Sequence, residues 1–122
     1  MSKLVLLVED NDFIRNMYQL KLSKADLEVI EAADGKMALD QISEHKPDIV
    51  LLDLMMPNVS GIEVLKSLKK KGLVPELPVI VLTNVMDPQT IAQAKELGAK
   101  DYIVKTDLTP SQVLEKLEPY IK

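Results

Sequence analysis

Three stretches of the chain are apolar without interruption: Leu4–Val8, Ile49–Leu52 and residues 79–82. An unbroken apolar run leaves no side for water, so it fits a strand covered on both faces, as in the middle of a parallel sheet. Residues 27–32 are mixed, with Glu28 and Glu31 flanking Val29 and Ile30, which suits an edge strand. Tyr102, Ile103 and Val104 make a short fifth strand.

Helical periodicity fills the gaps. Ile14, Met17, Tyr18 and Leu22 recur at helical spacing, and Asn11 or Asp12 can cap the start. Asp34 caps a second helix carrying Ala38, Leu39 and Ile42; the Asp34-Gly35 pair therefore reads as a strand–helix turn rather than a hairpin. Ser60 and Glu63 have capping-box spacing and open a third helix, which stops near Gly72. Asp87-Pro88 opens a fourth, because a missing N–H costs nothing in a first turn, and Gly98 ends it. Thr109-Pro110 repeats that signal before Val113, Leu114, Leu117 and Ile121, and Pro119 is expected to end or bend this last helix. The six methionines read as core filler, except Met55 and Met56.

Five β/α units occupy residues 1–122 as one α/β domain with no internal linker. Strands separated by helices pair in parallel through right-handed crossovers. The central character of the first and third strands, beside a mixed second strand, suggests that those two are neighbours, which is compatible with the order 2-1-3-4-5 without fixing it. No apolar run approaches the roughly 18 residues of a membrane span. Met1-Ser2-Lys3 leads straight into the first strand without a secretory leader, and cysteine is absent, which suits the cytoplasm and excludes thiolate chemistry. A net charge of −4 argues against binding nucleic acid directly through bulk electrostatics. Lys66, Lys69, Lys70 and Lys71 read as a solvated helix end favouring the negative dipole terminus. His45, the sole histidine, has no partner at metal-ligand spacing and reads as a surface residue.

In a sheet of this kind ligands bind beyond the carboxyl ends of the strands. The first strand ends in Glu9-Asp10, the third in Asp53, the fourth in Thr83 and the fifth in Lys105, so all five residues fall on one edge. Three carboxylates against one ammonium repel each other in a partly dry cleft, and a bound Mg²⁺ would cancel the excess. A carboxylate can also accept a phosphoryl group, with metal, hydroxyl and ammonium holding its oxygens. Charge and spacing alone do not choose the acceptor among the acidic residues.

Val8-Glu9-Asp10-Asn11, then Asp53-Leu54-Met55-Met56-Pro57 with Gly61, then Thr83 and Lys105, resemble the receiver domain of bacterial response regulators along essentially the whole chain. The resemblance implies a doubly wound, flavodoxin-like (β/α)5 fold of order 2-1-3-4-5. It implies a two-component signalling switch in which Asp53 accepts a phosphoryl group from a histidine kinase or phosphotransfer protein. Asp10 would ligate Mg²⁺ directly, Glu9 through water, and Asp53 and the Met55 carbonyl would complete the site. Lys105 and Thr83 would hold phosphoryl oxygens, and Tyr102 matches the family's switch aromatic. The face made by residues 87–97, 102–104 and 109–121 would pass the state to a downstream partner, with dimerisation on phosphorylation within what the family does.

Two positions depart from the family pattern. Thr106 follows Lys105 where receivers usually carry a cis proline, which leaves the loop trans or strained, since a non-proline cis bond costs roughly 3 kcal/mol. Asn84 stands where a small residue is usual and is expected to alter dephosphorylation or phosphodonor access. Two other classes share such a sheet. A Mg²⁺-dependent aspartyl-phosphate phosphatase commonly has a second acid two positions after its nucleophile, where this chain has Met55. A flavin module needs a phosphate cradle after the first strand, where Glu9-Asp10-Asn11-Asp12 would repel phosphate.

Overall fold

The computed structural model describes residues 3–121; Met1, Ser2 and Lys122, and with them part of the reading of the N-terminus, lie outside it. The elements run β1 (Leu4–Val8), α1 (Asp12–Lys24), β2 (Glu28–Ala32), α2 (Gly35–His45), β3 (Ile49–Leu52), α3 (Gly61–Lys70), β4 (Val79–Thr83), α4 (Pro88–Glu96), β5 (Asp101–Val104) and α5 (Pro110–Ile121). All strand pairs are parallel and the order is β2-β1-β3-β4-β5, so the mixed strand is indeed at an edge.

The continuous apolar runs are divided by the strand's twofold alternation. Val5, Leu7, Ile49, Leu51, Ile80, Leu82 and Ile103 face one way, onto Tyr18 and Leu22 of α1 and Val113 and Leu117 of α5. Leu6, Val8, Val50, Leu52, Val79 and Val81 face the other, onto Ala38 and Ile42 of α2, Val64, Leu65 and Leu68 of α3, and Ala94 of α4. Burying one such leucine contributes roughly 1.5–3 kcal/mol, so either layer would be badly weakened by a few truncations.

Helix ends follow the sequence closely. Asn11 Oδ1 accepts from the Ile14 N–H at 3.0 Å, and Asp34 Oδ1 from the Met37 N–H at 2.8 Å. Gly72 (φ 73°) and Gly98 (φ 107°) adopt the left-handed conformation that ends α3 and α4. In each case two amides turn back: Gly72 to Lys69 and Leu73 to Leu68, then Gly98 to Lys95 and Ala99 to Ala94. Ser60 caps α3 by accepting from the Glu63 N–H at 3.3 Å. The reciprocal capping box, however, is at Thr109 and Gln112, where each side chain accepts from the other's N–H.

Three expectations fail. Helix α5 continues through Pro119 to Ile121, because the residue falls in the final turn, where few bonds remain to be lost. Of the methionines read as core filler, Met1 lies outside the described residues and Met17, Met37 and Met86 are all exposed; strand leucines, valines and isoleucines fill the interior instead. Met17 in particular points away from the face that buries Tyr18 and Leu22.

Candidate functional site

Register brings the strand ends level. Val8 pairs with Leu52, and the Asp53 N–H donates to the Val8 carbonyl at 3.1 Å, so Glu9 and Asp53 emerge side by side. Leu52 pairs with Val81 and Thr83 with Val104, which places Thr83 and Lys105 at the same edge. Glu9, Asp53 and Thr83 are buried there, while Asp10 is exposed.

Lys105 Nζ donates to Asp53 Oδ2 at 3.1 Å and also binds Glu9 Oε1, linking residues from both ends of the chain. The Lys105–Thr106 peptide is trans, since Val74–Pro75 is the one cis bond among the described residues. Lys105–Asp107 forms a single 3₁₀ turn, which delivers the ammonium without a proline. Asp53 Oδ1 accepts from the Met55 N–H at 3.2 Å, and Glu9 Oε2 accepts from the Asn11 N–H at 3.0 Å.

Burial pushes the Glu9 carboxyl above its usual range, against the pull of its hydrogen bonds from Lys105 and Asn11. For Lys105 burial acts downward, but the hydrogen bond to Glu9 and the charge of Asp53 outweigh it and raise the ammonium. The lysine therefore stays charged beside the two carboxylates.

Oxygen atoms of Glu9, Asp10 and Asp53 come within 4.8 Å of one another, the one such acidic group among the described residues. The donors are hard oxygens, with no histidine or sulfur among them, and Lys105 balances only part of their charge. A small divalent cation that keeps some of its waters fits this donor set.

Thr83 is fully buried, and its Oγ1 accepts only a long bond, 3.5 Å, from the Val85 N–H. The Tyr102 hydroxyl donates to the Val85 carbonyl at 2.7 Å, and its ring packs against the layer containing α3. Burial, with the charges of Asp53 and Asp87, raises the Tyr102 phenol, so it stays a donor. Asn84 and Met55 are exposed at the rim. His45 lies on the surface, away from this edge.

Two contributors were not anticipated. Arg15 donates from one guanidinium nitrogen to the Glu9 carbonyl at 2.8 Å and from the other to Asp12 at 2.5 Å, with Glu31 3.4 Å from its Nε. Its i,i+3 spacing from Asp12 is visible in the sequence; its grip on the Glu9 backbone is not. Gly35 is the second. A Cβ there would lie 2.3 Å from the Val59 carbonyl oxygen, and one on Gly61 would lie 2.4 Å from that of Asp53. Both helices α2 and α3 thus start hard against the loop that follows Asp53.

Known proteins agree with this arrangement. Residues 5–118 match the model of the response regulator receiver domain. The chain is 38% identical to chemotaxis protein CheY of Thermotoga maritima over 123 aligned positions, covering the whole of both. It is 36% identical to the phosphate regulon transcriptional regulatory protein PhoB of Pseudomonas aeruginosa, covering 99% of this chain and 52% of that one. The chain thus spans about half the length of the PhoB relative. The structure of Vibrio cholerae chemotaxis protein CheY4 superimposes with a TM-score of 0.90 at 30% identity, covering 99% of this chain and 100% of that one. This chain belongs to the response regulator receiver family. It is a phosphorylation-dependent signalling switch of the two-component type.

Proposed function

We propose that Asp53 is the phosphoacceptor and that residues 1–122 act as one receiver unit. The supporting observation is the setting of its carboxylate: buried, bonded to Lys105 on one oxygen and to the Met55 N–H on the other, beside Glu9 and Asp10. An Asp53 oxygen attacks the phosphorus of a phosphohistidine; the O–P bond forms, the P–N bond breaks, and the imidazole leaves and takes up a proton. Lys105 and the Thr83 hydroxyl hold phosphoryl oxygens on the product. Glu9, Asp10, Asp53 and the Met55 carbonyl would hold Mg²⁺, which when bound supplies positive charge beside the phosphoryl oxygens.

The phosphodonor reaches Asp53 from a histidine kinase or phosphotransfer protein. Phe13, Met17 and Leu20 form an apolar stripe at 79%, 39% and 59% exposure on α1, the helix that begins two residues after Asp10. Such a stripe at i, i+4 and i+7 suits docking of a partner helix. A phosphoryl group draws Thr83 and Lys105 toward it, Tyr102 follows, and the face of α4, β5 and α5 changes for a downstream partner. A cytoplasmic location and dimerisation on phosphorylation belong to the same reading.

Intact mass after incubation with acetyl phosphate and Mg²⁺ tests it. One phosphate on this chain and none on Asp53→Asn is expected. An unmodified wild-type chain, or a phosphate retained on Asp53→Asn, would refute the assignment. Fast multiple turnover of a phosphate ester would instead indicate a phosphatase.

A further inference from the structure

Toward the C-terminal ends of α2 and α3, away from Asp53, residues of both helices line a half-open groove of about 430 Å³. Its floor is apolar, formed by Leu39, Ile42, Leu68, Leu73 and Leu77, and Leu73 remains 40% exposed. The charged groups in its wall are Lys46 and Lys71, with no carboxylate. Beyond the chain at residues 73–75 lies a second hollow of about 370 Å³, bordered by Lys69, Lys95 and Lys100 against Glu96. Five ammonium groups thus line the two hollows, against the one carboxylate of Glu96, with Glu44, Asp48 and Glu76 next to them along the chain.

Helix dipoles account for part of this. Lys69 donates to the Glu96 carbonyl at the end of α4, and Lys46 and Lys71 follow α2 and α3. They do not account for an apolar hollow between the two lysines. Lys46, Lys71, Lys95 and Lys100 also form no ion pair among the described residues.

We propose that this groove is a docking site for an acidic amphipathic segment of a partner protein. A large apolar side chain of the segment enters between Leu39, Leu73 and Leu77, and flanking Asp or Glu residues meet Lys46 and Lys71. Charge complementarity selects the acidic partner, and concavity selects a peptide. A bilayer would need apolar side chains that protrude, and a nucleic acid would gain little from the leucine floor.

Random dodecapeptides displayed on phage and selected on the intact protein provide the probe, with counter-selection on Lys46→Glu/Lys71→Glu and, separately, on Leu73→Ser. All three proteins are first checked for phosphate uptake from acetyl phosphate, which these changes should leave intact. Clones lost on both variants should carry a large apolar residue flanked by acidic ones. As free peptides they should shift the amide resonances of residues 39–46 and 71–77 and bind the lysine variant at least tenfold more weakly. The proposal is overturned if no variant-sensitive clones emerge, or if those that do are basic or purely polar. It is equally overturned if the same resonances respond to duplex DNA or phosphatidylglycerol vesicles but to no peptide.

Discussion

The hydroxyl of Tyr102 donates to the main-chain carbonyl of Val85 at 2.7 Å, tying strand β5 to the loop that leaves Thr83. Movement of that loop toward Asp53 either carries the Tyr102 ring with it or stretches this bond. Tyr102→Phe removes it while keeping the ring, and should lower stability by about 1 kcal/mol. Urea unfolding gives the loss, and hydrogen exchange at Val85 and Met86 should quicken. An unchanged midpoint with unchanged exchange would show that the bond does not restrain the loop.

Lys105 competes with any cation for Glu9 and Asp53, since it binds both. Removing the ammonium in Lys105→Ala leaves two buried carboxylates facing each other. Mg²⁺ should then bind about tenfold more tightly, equivalent to 1.4 kcal/mol, while phosphate uptake falls sharply. The Mg²⁺-dependent rise in Tm measures the first effect. Weaker Mg²⁺ binding in the variant would contradict it.

Arg15 is a prop for the backbone of the acidic edge. Its contact with Asp12 is nearly worthless energetically, because the Asp12 side chain is 83% exposed. The bond to the Glu9 carbonyl carries the effect. Arg15→Ala should cost about 1–2 kcal/mol in urea unfolding, and Arg15→Lys should recover only part of it, because an ammonium cannot span both acceptors in the same fork. Full recovery by lysine would reduce the role to charge alone.

Asn84 follows a fully buried threonine and is itself exposed at the mouth of the site. Asn84→Ala opens that mouth to water and should shorten the life of the phosphorylated state. Decay of the mass-labelled species after removal of acetyl phosphate gives the rate. If phosphorylation and decay both keep their wild-type rates, Asn84 does not guard the site.

The five strands, their burial and all five helix starts were legible because each rests on local chemistry: apolar runs, Asn11, Asp34, Ser60, Pro88 and Thr109-Pro110. So was the convergence of Glu9, Asp10, Asp53, Thr83 and Lys105, because parallel strands all end on one edge. The full strand order came from resemblance, since the apolar runs pointed to β1 and β3 as neighbours but did not place β4 and β5. Arg15 and Gly35 escaped for a related reason. Each acts on a main-chain carbonyl outside its own helix, that of Glu9 six residues before Arg15 or that of Val59 far along the chain from Gly35, and a main-chain carbonyl leaves no mark in the letters. Met17 was misplaced because a helix of mixed amphipathicity admits two faces until its neighbours are known.

With no side chain at Gly35 or Gly61, two helix ends form a solid backing behind the segment that carries Met55 and Pro57. On the open side of that segment the exposed side chains are those of Asp10, Met55 and Asn84. Exchanging the side chains of Met55 and Asn84 should therefore change which phosphodonor is accepted while leaving the carboxylates, Thr83 and Lys105 in place.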